Sequence, residues 1–179
     1  MRRLPVERLV FLDESGLNTS MTRSHVWVKK GREYIERTPM NWGKNLTLLG
    51  AMRVTGWVLL STMFATTNKD RFVAWLVTKL LPRLARGDIL LMDNLQAHKD
   101  PRVKYWCRHF GIRVIYLPPY SHDFNPIEPG WAIQKQHVRK HAPRTPADLV
   151  RVARRARHRI TPRHCRQWFA HAGYSAQLK

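Results

Sequence analysis

An α/β (α+β) fold, with a mixed sheet of five strands flanked by helices, is what this 179-residue sequence predicts. Three observations predict it. Two apolar runs, Leu46–Val54 and Trp57–Ala65, straddle Thr55-Gly56, a hairpin signal. Asp88–Met92 (DILLM) is a continuous apolar run, the mark of a strand buried on both faces. Helical and strand-like segments then alternate, the pattern of parallel strands joined by crossover helices.

In order, Arg8–Leu12 (RLVFL) reads as a buried strand stopped by Asp13-Glu14-Ser15-Gly16. Leu17–Ser24 is polar and loop-like. His25–Lys30 (HVWVKK) reads as a short strand, in the sheet or as a flap, ended by Gly31. Tyr34–Lys44 carries Pro39, Asn41 and Gly43 and reads as a loop. The hairpin follows. Thr67 or Asn68 can cap a helix to about Ala85, with Phe72, Trp75, Leu76, Leu80 and Leu84 as its apolar stripe. The DILLM strand stops at Asp93-Asn94. Asp100 and Pro101 open a helix to about Phe110, ended by Gly111, and Ile112–Leu117 (IRVIYL) is a strand. Pro118-Pro119 hold an extended loop. A helix comes next, with Asn125 as N-cap, Pro126 at the first position and Glu128 in the first turn. Ile127, Trp131, Gln134/Lys135 and Val138 continue it at helical spacing.

Thr145-Pro146-Ala147-Asp148 is a capping-box-like start with Asp in place of Glu. Its helix places Leu149, Val152/Ala153, Ala156 and Ile160 on one face and arginines on the rest. Thr161–Lys179 reads as a short helix packed back on the body. A three-stranded antiparallel meander leading into β-α-β-α-β-α is the layout of the ribonuclease-H-like fold. Residues 1–143 read as that domain, and residues 144–179 as an Arg-rich helical extension packed on it.

Charge narrows the function. Lys and Arg number 32 against 12 Asp and Glu, a net +20, which predicts a polyanionic partner, nucleic acid first. A ribosomal-type structural protein could carry such charge, but seven Trp and long apolar strand-like runs argue against it. Cys107 and Cys165 lie far apart without zinc-ribbon spacing. No apolar run reaches the length of a membrane span, and no signal-peptide pattern opens the chain, so a reducing cytoplasm is the expected compartment.

Acids are scarce, so their placement matters. Asp13 follows the first strand, Asp93 follows the buried strand, and Glu128 opens the helix after the last strand. Taken singly, each has a bland reading as a turn residue or helix-dipole acid. Together they fall where sites form in open α/β sheets. Converging carboxylates in a cationic protein call for bound cations, and oxygen-only donors point to Mg²⁺ or Mn²⁺. Two such ions would suit in-line displacement at phosphorus.

VFLDESG, LLMDNLQAHK and LPPYSHDFNPIEPGW resemble the DDE catalytic domain of mariner-type and bacterial insertion-sequence transposases, within the retroviral-integrase-like superfamily. Thirty-four residues separate Asp93 from Glu128, the interval of one large branch of that superfamily. The resemblance spans roughly residues 9–140. It implies that Asp13, Asp93 and Glu128 are the metal-binding catalytic triad, with two Mg²⁺ or Mn²⁺ ions. It implies hydrolytic cuts at transposon ends and joining of 3′ ends to target DNA, often at TA dinucleotides. It also implies a homodimer on double-stranded DNA in a bacterial cytoplasm, associated with the nucleoid.

Around the triad, Glu14 alternates to the other face if its strand continues. Asn94 and His98 match a D-N-x-x-x-H string, and His98 is expected to contact DNA or orient a carboxylate. Asp123 and Asn125 read as loop and cap residues, and Trp131 as core packing. Lys135 and Arg139 follow Glu128 at helical spacing and are candidate phosphate contacts. Arg151, Arg154 and Arg155 are candidates on the Arg-rich helix. The Arg23–Arg37 segment, with Trp27, Lys29, Lys30, Arg32 and Tyr34, is a second candidate DNA surface.

Family members carry helix-turn-helix modules ahead of the catalytic domain. Here the first strand begins within a dozen residues, so the chain reads as the catalytic half, with a recognition half expected as a separate or frameshift-fused piece. Two alternatives stay open: a non-catalytic DNA-binding remnant, and another ribonuclease-H-like nuclease.

Overall fold

The computed structural model describes residues 5–38, 40, 43–119 and 121–174. Its strands are β1 (Leu9–Leu17), β2 (Leu46–Arg53), β3 (Gly56–Met63), β4 (Ile89–Met92) and β5 (Arg113–Tyr116). They form one mixed sheet in the order β3-β2-β1-β4-β5. β1, β2 and β3 are an antiparallel meander, while β4 joins β1 in parallel and β5 joins β4 in parallel. The helices are α1 (Lys69–Trp75), α2 (Pro101–His109), α3 (Glu128–His141), α4 (Pro146–Ala156) and α5 (Pro162–His171).

Local chemistry sets the boundaries. Asn68 caps α1 by accepting the Arg71 N–H (2.9 Å), and Asp100 caps α2, with Pro101 at its start. α1 runs on through a π-helical turn (Leu76–Leu80) and a 3-10 turn (Leu81–Arg83) that contains Pro82. Thr145 caps α4 and also donates to Asp148, while Thr161 and His164 form the reciprocal box of α5.

Side-chain alternation divides the core into two layers. Leu9 and Phe11 of β1 face a cluster completed by Leu48, Met52, Trp131, Val138, Leu149 and Phe169. Val10 and Leu12 face the opposite cluster, with Leu49, Phe72, Trp75, Leu90 and Val103. α3, α4 and α5 thus cover one face of the sheet and α1 and α2 the other.

Three expectations change. β1 does not stop at Asp13. Its pairing with β4 is matched only as far as Phe11↔Leu91, but β2 carries it on to Leu17↔Leu46, with Asp13 opposite Gly50. His25–Lys30 is not a strand: no sheet edge receives it, and Trp27 is fully exposed. α3 begins at Glu128 with Ile127 in the cap position, so Asn125 and Pro126 precede the helix. The expected loop residues Pro39 and Asn41 lie outside the described residues.

Gly50 is the tightest point between sheet and helix. A Cβ there would lie 2.5 Å from Trp131 and 2.7 Å from Trp57. Gly50→Ala should therefore push Trp131 off the sheet and cost about 1–3 kcal/mol of stability in chemical denaturation. An unchanged midpoint and slope would mean that the two indoles yield freely.

Candidate active site

The strand period sorts the paired acids of β1. Asp13 continues the Leu9–Phe11 side, under α3. Glu14 continues the Val10–Leu12 side, over α1 and α2. β4 ends at Met92, so the flank of β1 opens there. Extending the Phe11↔Leu91 register by two residues sets Asp13 beside Asp93.

Asp13 is 8% exposed yet fully engaged. Its Oδ1 accepts the Glu14 backbone N–H (2.8 Å). Its Oδ2 accepts the Trp131 indole N–H (3.0 Å) and the Asn125 amide (3.2 Å). These donors favour the ionised form. Burial opposes them and pushes the group up to about 6, helped by the negative charges of Glu128 and then Asp93.

Asp93 sits in a different field. Its Oδ1 accepts the Leu95 N–H (3.1 Å) and pairs with His98 Nδ1 at 2.6 Å. Burial alone would raise its pKa, but these bonds outweigh burial and hold it below the ordinary carboxyl value. His98 is fully buried, packed at a tilt against Phe72 (ring centroids 4.4 Å apart), and its carbonyl accepts the Tyr116 hydroxyl (2.8 Å). Its Nε2 lies 3.5 Å from Glu14 Oε1, an ion-pair separation rather than a hydrogen bond. Burial disfavours an imidazolium here, but the flanking carboxylates prevail and lift His98 to about 9. A charged imidazole is thus clamped between Asp93 and Glu14.

Glu128, the first residue of α3, has a side chain 40% exposed, with His122 Nδ1 3.4 Å from its Oε1. The fold therefore brings Asp13, Asp93 and Glu128 to one end of the sheet, close enough for Asp13 to feel both other charges. All the donors are oxygens, the set that suits a hard divalent cation. Among the described residues, no three His, Cys, Asp or Glu side chains already stand as a ready-made metal cage.

Several supporting residues escape a reading of the sequence. Trp131 is core packing, as its spacing suggests, but its indole N–H also anchors Asp13. Asn125 stands ahead of the helix and does two things: its amide nitrogen donates to Asp13, and its Oδ1 accepts the Ile127 N–H (3.4 Å). Glu14 does face away from Asp13, and there it meets His98. His98 orients a carboxylate, as one half of its expectation has it; the other half, a DNA contact, is corrected, because a side chain with no exposed surface offers nothing to a phosphate. Lys135 is half-buried, and Arg139, Arg154 and Arg155 are exposed. Arg151 is exposed but pairs with Asp148 at 2.7 Å. Cys107 and Cys165 are buried free thiols.

A five-stranded mixed sheet in the order 3-2-1-4-5, with helices on both faces, is the arrangement of the ribonuclease-H-like fold. The chain belongs to the DDE superfamily endonucleases, whose family model matches residues 8–149. It is 24% identical over 140 residues to the Transposable element Tcb2 transposase of Caenorhabditis briggsae, covering 73% of this chain and 51% of that one. In structure it is similar to the Mos1 mariner paired-end complex with Mn (TM-score 0.70, 16% identity, 97% of this chain and 57% of that one). It is also similar to the Mos1 transposase paired-end complex with left transposon end (TM-score 0.64, 18% identity, 96% and 57%). The chain thus spans about half the length of these relatives. No helix among the described residues is long and apolar enough to cross a membrane.

The Asp13 environment makes a prediction about pH. Its folded value lies above the 3.8 of a free carboxyl, so its favourable contribution is complete below about pH 4 and lost as pH rises through 6. In metal-free buffer, wild type should lose about 2–3 kcal/mol more than Asp13→Asn between pH 4 and 7, read by urea unfolding. Parallel pH profiles would place the perturbed group elsewhere.

Proposed function

We propose that this chain is the catalytic domain of a DNA transposase, which cuts transposon ends and joins them to target DNA. The observation that carries the reading is the buried Asp13 carboxylate. It sits at a sheet end under the charges of Glu128 and Asp93, in a protein of net charge +20. Membership of the DDE endonuclease family and the likeness to Mos1 complexes support it.

Asp13, Asp93 and Glu128 would hold Mg²⁺ or Mn²⁺, two ions in the full site. When bound, such ions activate the attacking oxygen and stabilise the leaving oxygen at phosphorus. The chain's own residues set the stage for this. Trp131 and Asn125 fix one oxygen of Asp13, so its carboxylate cannot rotate away. His98 occupies Oδ1 of Asp93 and leaves Oδ2 free to bind. Glu128 is half-exposed on the first turn of α3, placed to exchange His122 for a cation. Lys135 and Arg139, seven and eleven residues on, lie on the same face of α3 and would steady strand phosphates.

The same reading takes residues 1–143 as the catalytic body and 144–179 as its helical extension. It takes the partner as double-stranded DNA, bound by two copies, with sequence recognition supplied by a helix-turn-helix module. It places the protein in a bacterial cytoplasm, at the nucleoid.

Nicking of supercoiled plasmid with Mn²⁺, paired with calorimetric titration of the ion, tests the reading. Asp93→Asn and Glu128→Gln should lose both nicking and part or all of the ion binding while remaining folded. Ion binding identical to wild type in both variants would remove the carboxylate assignment.

His98→Ala should keep Asp93 in place but free to rotate, and lower nicking roughly 10- to 100-fold, as loss of an orienting partner does at metal sites. Full activity in that variant would make the Glu14–His98–Asp93 contact purely structural.

A further inference from the structure

A second cationic feature lies away from the carboxylates. A cavity of about 520 Å³ opens between the C-terminal end of α3, the segment Arg23–His25 and the 3-10 turn Arg157–Arg159. Its wall carries the cations Arg23, Arg139, Lys140 and Arg159 beside His25 and His137, and among the described residues no Asp or Glu lines it.

The walls are held in place by bonds that leave these charges available. Arg23 donates to the Lys140 carbonyl (3.0 Å), tying its segment to the end of α3. The same segment is anchored by Arg144, which donates to the carbonyls of Thr19 (2.8 Å) and Met21 (3.3 Å) and pairs with Glu36 (2.9 Å). The buried Gln134 amide, turned to satisfy both partners, bridges Ala153 and Arg157 and fixes the 3-10 turn against α3. Among the described residues, Arg139, Lys140 and Arg159 have no carboxylate within 4.0 Å.

Part of this charge complements the negative end of the α3 dipole. That accounts for Arg139 and Lys140, but not for Arg23 and Arg159, which come from outside the helix. Crowding of like charge is felt within the wall. His137 is held below its ordinary pKa by burial first, then by His141, Arg159 and Lys140. An anion in the cavity would relieve that repulsion.

We propose that this cavity is a second phosphate site for duplex DNA, reached through Arg139 and set apart along α3 from the phosphate that meets the carboxylates. The proposal rests on the transposase reading above. From Glu128 to Arg139 is eleven residues of α3, about 16 Å at the helical rise. That is roughly five base pairs along a duplex axis. DNA seated here would therefore be gripped about half a turn from the reacting phosphate, which fixes its register without touching the chemistry.

The test is binding of a labelled 30-base-pair duplex to the full chain by fluorescence anisotropy across a salt series. Three proteins are compared: wild type, Lys140→Gln/Arg159→Gln, and Arg108→Gln/Arg113→Gln, which removes the same charge at the far sheet edge beyond β5. The cavity variant should bind roughly tenfold more weakly for each cation removed, with a log–log salt slope shallower by about 2. The far-edge variant should stay near wild type. Arg159→Lys should retain binding, which separates charge from folding. Competition with inorganic pyrophosphate should displace duplex only weakly. Equal weakening in the cavity and far-edge variants would overturn the proposal. So would pyrophosphate binding abolished in the cavity variant while duplex binding is unchanged. Failure of wild type to bind duplex at all would instead overturn the transposase reading.

Discussion

Everything at this site depends on keeping one carboxylate, Asp13, in a place that disfavours its charge. The strand holding it outlasts its parallel neighbour. β4 ends at Met92, but β2 supports β1 to Leu17, so Asp13 stands inside the sheet on one flank and at an open end on the other. Burial penalises the carboxylate, and three donors (the Glu14 N–H, the Trp131 indole and the Asn125 amide) offset part of the penalty. A hydrogen bond to a charged group is worth about 1.5–3 kcal/mol, so these donors decide whether the site exists. They also explain the lone glycine on β2. Only a residue without Cβ at position 50 lets Trp131 come close enough to the sheet to reach Asp13.

The two faces of the sheet then treat the two aspartates in opposite ways. Asp13, on the α3 face, is met by neutral donors and is hard to ionise. Asp93 pairs across the strand ends with His98, whose charge is maintained by Glu14 from the α1/α2 face. The result is two carboxylates of unlike basicity side by side, one held ionised and one lifted towards neutrality. Glu128 comes from a third element and has most freedom. An incoming divalent cation would meet Asp93 ready, and below about pH 6 it would also have to displace a proton from Asp13.

Much of this fold could be read from residue order. The hairpin signal at Thr55-Gly56, the DILLM run and the caps at Asn68, Asp100, Thr145 and Thr161 all act locally, and each element starts close to where its own chemistry puts it. Where reading failed, a long-range partner had overruled a local cue. Asp13-Glu14-Ser15-Gly16 looks like a strand stop, yet β2 supplies hydrogen bonds that carry the strand through it. Asn125 looks like a cap, yet it stands ahead of the helix, with its Oδ1 on the Ile127 N–H and its amide nitrogen on a buried carboxylate 112 residues away. HVWVKK has strand-like residues but no edge to join. The three acids were visible from their positions after strands and before a helix. The imidazole of His98 was visible too, through the D-N-x-x-x-H string, but the indole that holds Asp13 was not, because spacing reports which face a side chain takes and not which atom it meets there.

The same distinction applies to the positive charge. Counting Lys and Arg predicts affinity for a polyanion, but it cannot say which cations are free to bind one. The structure separates them by their partners. Arg53 is committed to the buried Asp88, Arg102 to Asp70 and Asp100, Arg144 to Glu36, and Arg151 to Asp148. Those charges offset carboxylates and fasten elements together. Among the described residues, the cations around the far end of α3 have no carboxylate within 4.0 Å, and they are the ones brought to one cavity. In a chain so short of acids, an unpaired cation is common and means little alone. Several brought together from three separate elements, with bonds spent on holding the elements rather than on neutralising them, make a site whose affinity must come from outside the chain.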